Sequence, residues 1–216
     1  MTVQVKICGI RSARAIKALV AGGAGYAGFV FYPQSPRVVT LDEAAVLARH
    51  AGGRLKRVGL VVDATDDFVA DLCRKVALDY LQLHGRETPR RVDELRRLAG
   101  LPVIKAVAIA GPQDVALAKS YQSVADMLLF DAKPPKSMPA ALPGGNGLAF
   151  DWRLIAGEDW RIPWMLSGGL DADNVAEAIA VSGARMVDVS SGVESRPGEK
   201  NMEQIAAFLQ AAGEAK

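Results

Sequence analysis

A lysine and a cysteine stand two residues apart near the start of the chain, Lys6 and Cys8 in the stretch VQVKICG from Val3 to Gly9. On a strand, residues two apart share a face, so the ammonium and the thiol point the same way, opposite to Val5 and Ile7. A neighbouring cation favours the thiolate, the form in which cysteine acts as a base or nucleophile. Gly9 breaks the run and leaves Cys8 at the carboxyl end of the strand, where a thiol can reach a pocket. A lone cysteine taken by itself is more often a small buried apolar group, so the rest of the chain has to decide its use.

Further reactive groups occupy corresponding places along the chain. Arg37 ends the polar loop Tyr32 to Arg37. His84 follows the apolar run Tyr80 to Leu83, and Asp131 follows Met127 to Phe130. Asp188 alternates with Val187 and Val189, so it faces away from them. Two turns of small residues, Ser167-Gly168-Gly169 and Ser190-Ser191-Gly192, each precede helical sequence. Such turns leave backbone N–H groups free and let a ligand approach the main chain, which suits an anion such as phosphate. Gly145 and Gly147, in Gly144-Gly145-Asn146-Gly147, add donors of the same kind.

The elements that must carry these groups alternate in type. Strands are predicted at Val3 to Gly9, Tyr26 to Phe31, Arg57 to Val62, Tyr80 to Leu83, Val103 to Ala108, Met127 to Phe130, Trp164 to Leu166 and Met186 to Val189. Helices are predicted from Ser12 to Ala21, from Thr40 to His50 with Thr40 and Glu43 at capping-box spacing, and from Asp66 to Val76. Others follow at Pro89 to Ala99, Pro112 to Ser120, Asp173 to Ser182 and Met202 to Ala212, with a short helical piece near Asp151 to Ile155. A proline- and glycine-rich loop runs from Lys133 to Gly147, and so long a loop in a compact domain is usually functional. Eight such units argue for an α/β fold, a single-domain (β/α)8 barrel over residues 1–216. A doubly wound open sheet has the same strand count and is the alternative. In a barrel, the strand ends that carry Cys8, Arg37, His84, Asp131 and the two turns form one face, and turns after strands seven and eight are the usual phosphate site.

Composition narrows the class. The 216 residues are half hydrophobic, with 26 basic and 24 acidic side chains and a net charge of +2, too balanced for a nucleic-acid partner. No apolar run reaches the length of a membrane span, and the first residues lack the pattern of a signal peptide, so a cytoplasmic protein is expected. The two cysteines, Cys8 and Cys73, do not have metal-ligand spacing, and neither a metal nor a disulfide is expected.

Eight segments, in order from one end of the chain to the other, resemble phosphoribosylanthranilate isomerase, a family of tryptophan biosynthesis. They are KICGI (Lys6–Ile10), GFVFYPQSPR (Gly28–Arg37), LQLHG (Leu81–Gly85), VIKAV (Val103–Val107), LLFDAK (Leu128–Lys133), GGNGLAFDW (Gly144–Trp152), LSGGL (Leu166–Leu170) and VDVSSGVESRPGEKN (Val187–Asn201). The resemblance implies an Amadori rearrangement of N-(5-phosphoribosyl)anthranilate to 1-(2-carboxyphenylamino)-1-deoxyribulose 5-phosphate, with no cofactor. It assigns Cys8 as general base and Asp131 as general acid. An acid must hold its proton, which asks for burial or a nearby negative charge at Asp131. Arg37 is expected to bind the anthranilate carboxylate through two parallel hydrogen bonds. His84 is placed near the substrate by the resemblance alone, and Asp188 is expected to meet the substrate amine or to pair with Lys6. A monomer is expected. Three other readings remain at this point: a Schiff-base aldolase using Lys6 or Lys105, an indoleglycerol-phosphate synthase, and a sugar-phosphate binding module without turnover.

Overall fold

The protein is described by a computed structural model covering residues 3–135, 137–138 and 142–215. Residues 136 and 139–141 of the expected long loop, and the chain ends at 1–2 and 216, lie outside the described residues. Eight parallel strands form a closed barrel in sequence order: β1 Gln4–Cys8, β2 Tyr26–Val30, β3 Lys56–Val61, β4 Tyr80–Leu83, β5 Val103–Ile109, β6 Met127–Ala132, β7 Trp164–Leu166 and β8 Met186–Val189. β1 pairs with β8 to close the ring, with Lys6 opposite Asp188. Closure decides against the open sheet.

Strand alternation divides the side chains between two environments. Val5 and Ile7 face outward, into a large apolar cluster shared with Ile16 and Leu19 of the first helix. Tyr26, Val58, Ile104, Met127, Leu129 and Met165 fill the lower interior of the barrel, and Cys8, Val30 and Leu60 form an apolar layer above them. The inward parity that buries these residues also turns Lys6, Gln82, Asp131 and Asp188 into the barrel. Asp131 and Asp188 stand toward the carboxyl ends of their strands.

Among the described residues seven α-helices cover the outside: α1 Ala13–Ala21, α2 Leu41–Ala51, α3 Asp66–Lys75, α4 Pro89–Ala99, α5 Pro112–Lys119, α6 Val175–Ser182 and α7 Met202–Glu214. Side-chain oxygens of Ser12, Thr40, Thr65 and Thr88 accept from the first turns of α1 to α4, and Thr40 with Glu43 completes the capping box. The sixth unit differs. Between β6 and β7 the regular structure among the described residues is one 3₁₀ turn, Trp152–Leu154. Aromatic packing covers that wall instead, with the Phe130 ring 4.7 Å from Trp160 and 5.5 Å from Trp164 between centroids. β6 is also longer than the sequence suggests, so Asp131 lies within the strand and caps no helix. Between β8 and α7 a small hairpin, β9 Glu194–Arg196 with β10 Glu199–Lys200, is too short to show a period in the sequence.

A second ion pair fixes the β4–α4 loop from outside the ring. Lys105 Nζ donates to Glu87 Oε2 at 2.6 Å and to the Gly85 carbonyl at 2.8 Å, while Glu87 Oε1 accepts from the Asp63 amide at 2.9 Å. Both side chains are essentially inaccessible. Replacing Glu87 by glutamine is expected to cost about 3–5 kcal/mol, as breaking a buried pair on one side does. Urea unfolding followed by circular dichroism measures this, and a loss below about 1 kcal/mol, the scale of an exposed pair, would contradict it.

Candidate active site

Cys8 stands at the polar end of the barrel, with Lys6 one inward position below it. The neighbouring strand makes room for both. A Cβ at Gly28 would lie 3.0 Å from Cys8 Sγ and 3.3 Å from Lys6 Nζ, so a glycine on β2 opens space for the thiol and the ammonium. Lys6 is completely buried and donates to Asp188 Oδ1 at 2.7 Å. Ser167 Oγ donates to Asp188 Oδ2 at 3.2 Å. Of the two expectations for Asp188, the structure shows the pair with Lys6.

The charge balance at the thiol differs from the simple expectation. Burial pushes the Cys8 thiol up, Lys6 pulls it down, and Asp188 pushes it up again. Lys200 and Arg37 also pull it down, but the outcome is a thiol above its ordinary value. Lysine is present as the sequence suggests, yet its carboxylate partner cancels much of its field and burial prevails. Burial likewise opposes the Lys6 ammonium, but Asp188 and Cys8 outweigh it and hold Lys6 above the usual lysine value.

Across the pocket, His84 Nε2 lies 3.3 Å from Asp131 Oδ2, and Gln82 Nε2 lies 2.9 Å from His84 Nδ1. With the amide nitrogen assigned to the ring-facing side, Nδ1 accepts and Nε2 carries the proton toward Asp131. Asp131 Oδ1 accepts from the Ala132 amide at 2.8 Å. The Gly144 backbone lies over this pair, since a Cβ there would come within 2.6 Å of His84 Nε2 and 2.8 Å of Asp131 Oδ2.

The two small-residue turns flank the same pocket, but neither opens an α-helix directly. Gly168 and Gly169 precede α6 by several residues, and Ser191 begins a 3₁₀ turn ending at Val193. The amides of Gly168, Gly169 and Ser191 donate to no acceptor among the described residues. Gly169 has a φ of +62°, and a Cβ would stand 2.7 Å from the Leu148 carbonyl carbon, so this turn excludes a side chain. Ser167, Ser190, Gly145 and Gly147 also line the pocket. Gly192 does not, and it meets the Leu170 carbonyl at close range instead.

Arg37 is buried, with its aliphatic stem over Gly9. Its Nε and Nη2 donate to the two oxygens of Glu194, both at 2.9 Å, and Nη2 also reaches the Gly145 carbonyl at 3.3 Å. One edge of the guanidinium is therefore committed within the protein, leaving the Nη1 side for a ligand. Burial works against the Glu194 charge, but Arg37 and Lys200 hold its carboxyl below the usual range. Among the described residues, no group of three or more His, Cys, Asp and Glu could hold a metal ion.

A model of the N-(5'phosphoribosyl)anthranilate (PRA) isomerase family matches residues 5–211. The chain belongs to this family. Over 212 residues it is 52% identical to the N-(5'-phosphoribosyl)anthranilate isomerase of Parvibaculum lavamentivorans, covering 98% of this chain and 99% of that one. A solved phosphoribosyl anthranilate isomerase in complex with reduced 1-(o-carboxyphenylamino)-1-deoxyribulose 5-phosphate superposes with a TM-score of 0.84 at 34% identity, covering 97% of this chain and 98% of that one. Mutually generated monomers of the dimeric isomerase from Thermotoga maritima give a TM-score of 0.82 at 35% identity, again covering 97% and 98%.

Sequence reading brought Cys8, Arg37, His84, Asp131, Asp188 and the glycine turns to one face, and the structure places all but Gly192 around one pocket. It missed Gln82, Glu194 and Lys200. All three lie within the family-like segments LQLHG and VDVSSGVESRPGEKN, where Glu194 and Lys200 resemble ordinary surface charges until the hairpin folds them inward.

Because Cys8 sits above the ordinary thiol value, its thiolate is scarcer at neutral pH than that of a free cysteine. Its alkylation by iodoacetamide, in a Cys73→Ser background, is expected to accelerate with rising pH to a midpoint above that of free cysteine. A midpoint at or below the free value, read by mass spectrometry, would contradict this balance.

Proposed function

We propose that this chain catalyses the Amadori rearrangement of N-(5-phosphoribosyl)anthranilate to 1-(2-carboxyphenylamino)-1-deoxyribulose 5-phosphate, as a phosphoribosylanthranilate isomerase of tryptophan biosynthesis. The observation that carries the chemistry is the placement of Cys8 and Asp131 in the wall of one pocket, between donors suited to two anions. Phosphate meets the amides of Gly168, Gly169 and Ser191, with Gly145, Gly147, Ser167 and Ser190 around it. The ring carboxylate meets the Nη1 side of Arg37.

In this reading Asp131 gives its proton to the ribose ring oxygen, the bond from that oxygen to C1′ breaks, and the nitrogen lone pair forms a protonated imine at C1′. His84, with its Nε2 proton directed at Asp131, stabilises the carboxylate left behind. Cys8 as thiolate then takes the proton from C2′, and those electrons neutralise the imine to an enolamine. Loss of the C2′ hydroxyl proton and protonation at C1′ complete the ketone. The imine's positive charge lies one bond from the carbon that is deprotonated. A cation that close favours the thiolate against the burial that disfavours it in the free protein.

The aldolase reading needs a free amine in the pocket. Lys6 and Lys105 are instead engaged by Asp188 and Glu87, and no lysine is among the pocket's described lining. We take the working unit to be a monomer. The exposed large apolar side chains Val46, Leu98, Leu117, Met138 and Val181 are spread over four helices and one loop. Sedimentation at micromolar concentration tests this, and a dimer would refute it.

Loss of phosphoribosylanthranilate fluorescence on adding purified protein is the direct test of activity. Cys8→Ser is expected to fold normally and to lose roughly 10²–10⁴ in kcat, the worth of a general base, and Asp131→Asn a similar factor. Near-normal turnover in Cys8→Ser would refute the thiolate base. Arg37→Ala is expected to weaken anthranilate binding by about 10- to 100-fold, the worth of a charge-assisted hydrogen bond, while leaving inorganic phosphate binding near the unmodified level. Equal loss of both ligands would assign Arg37 a general electrostatic role.

A further inference from the structure

Glu194 belongs to neither proton carrier, yet the pocket wall converges on it. Its two oxygens take the Nε and Nη2 of Arg37, both at 2.9 Å, and Oε1 also takes Lys200 Nζ at 2.6 Å. Lys200 continues the chain of contacts. It donates to the Ser190 carbonyl at 2.8 Å and reaches Ser190 Oγ at 3.3 Å, while Ser190 Oγ donates to the Cys8 carbonyl at 3.1 Å. The three ionic side chains are all but closed to solvent, with 6% or less of each exposed. The hairpin explains the arrangement, because β9 and β10 set Lys200 opposite Glu194 and the Gly198 amide at its turn donates back to Glu194 Oε2 at 3.3 Å. Two cations on one carboxylate leave a net charge of +1, shared between the wall that holds Arg37 and the turn that holds Ser190.

We propose that Glu194 is a positioning residue for both anionic ends of the substrate, fixing the Arg37 guanidinium for the ring carboxylate and, through Lys200, the Ser190 turn for the phosphate. This rests on the substrate reading given above. Charge and position make opposite demands on Glu194, which allows them to be separated. Removing its negative charge leaves two cations uncompensated, Arg37 in the pocket wall and Lys200 behind it, so charge alone would tighten anion binding. Loss of position would weaken it, because an unanchored fork no longer presents its donors in one geometry.

The experiment is calorimetric titration of the purified protein with inorganic phosphate and, separately, with anthranilate, alongside KM and kcat. Glu194→Gln, with its fold checked by circular dichroism, is expected to weaken both ligands by about 10- to 100-fold and to raise KM more than it lowers kcat. Lys200→Met is expected to weaken phosphate and leave anthranilate within about twofold, the mirror image of Arg37→Ala, since it releases only the Ser190 side of the network. A folded Glu194→Gln protein that binds either ligand as tightly as the unmodified chain, or more tightly, overturns the proposal. Should Glu194→Gln fail to fold, Lys200→Met decides, and unchanged phosphate affinity in that variant overturns the proposal. An unmodified protein that binds neither ligand overturns the substrate reading and this proposal with it. Binding of both ligands, followed by no loss in the Glu194 variant, overturns this proposal alone.

Discussion

Inside the barrel, where the first strand meets the last, an ammonium and a carboxylate face each other across the closing seam. The Lys6–Asp188 contact is 2.7 Å long and wholly buried, and neither charge would be tolerated there alone. The pair sets the register at which β1 joins β8 on the inner face, and it lies directly below the thiol. Asp188 also offsets part of the positive field that Lys6 exerts on Cys8, and burial prevails. Burial with this pair beneath it keeps the Cys8 thiol above its ordinary value. In the mechanism proposed above, the charge on the substrate's imine would shift it toward the thiolate.

Much of this was legible in the sequence because a parallel barrel writes its layout plainly. Strands buried on both faces read as apolar runs, and polar residues that interrupt them on the inward parity stand out. Cys8, His84, Asp131 and Asp188 are recognisable for that reason, as are the turns after β7 and β8. Among the turns Gly192 does not line the pocket, and its small size lets the backbone approach Leu170 closely. A glycine is required in either case, so residue type alone could not separate the two uses.

What the sequence did not reveal are interactions between residues far apart in the chain that depend on short, irregular segments. Glu194 and Lys200 lie in strands of three and two residues, below the length at which any period appears. Arg37 is paired with a residue 157 positions away. The balance at Cys8 was misjudged for a related reason. Lys6 could be seen from its spacing, but the degree of burial and the proximity of Asp188 are properties of the closed ring. The lack of an α-helix between β6 and β7 among the described residues is another local departure, where indole rings cover the wall that a helix covers elsewhere.

That aromatic cover gives the molecule an uneven optical character. Of the chain's three tryptophans, Trp152 and Trp160 fall in the segment that joins β6 to β7, and Trp164 opens β7 itself. Two of them press on Phe130, the residue next to Asp131. Ultraviolet emission from this protein therefore reports on a single sector of the ring, one without an α-helix among the described residues, while far-ultraviolet dichroism reports on the helices elsewhere. If that sector opens as a separate cooperative unit, the two signals will part company during denaturation, and the wall behind Asp131 will be seen to loosen before the remainder of the barrel.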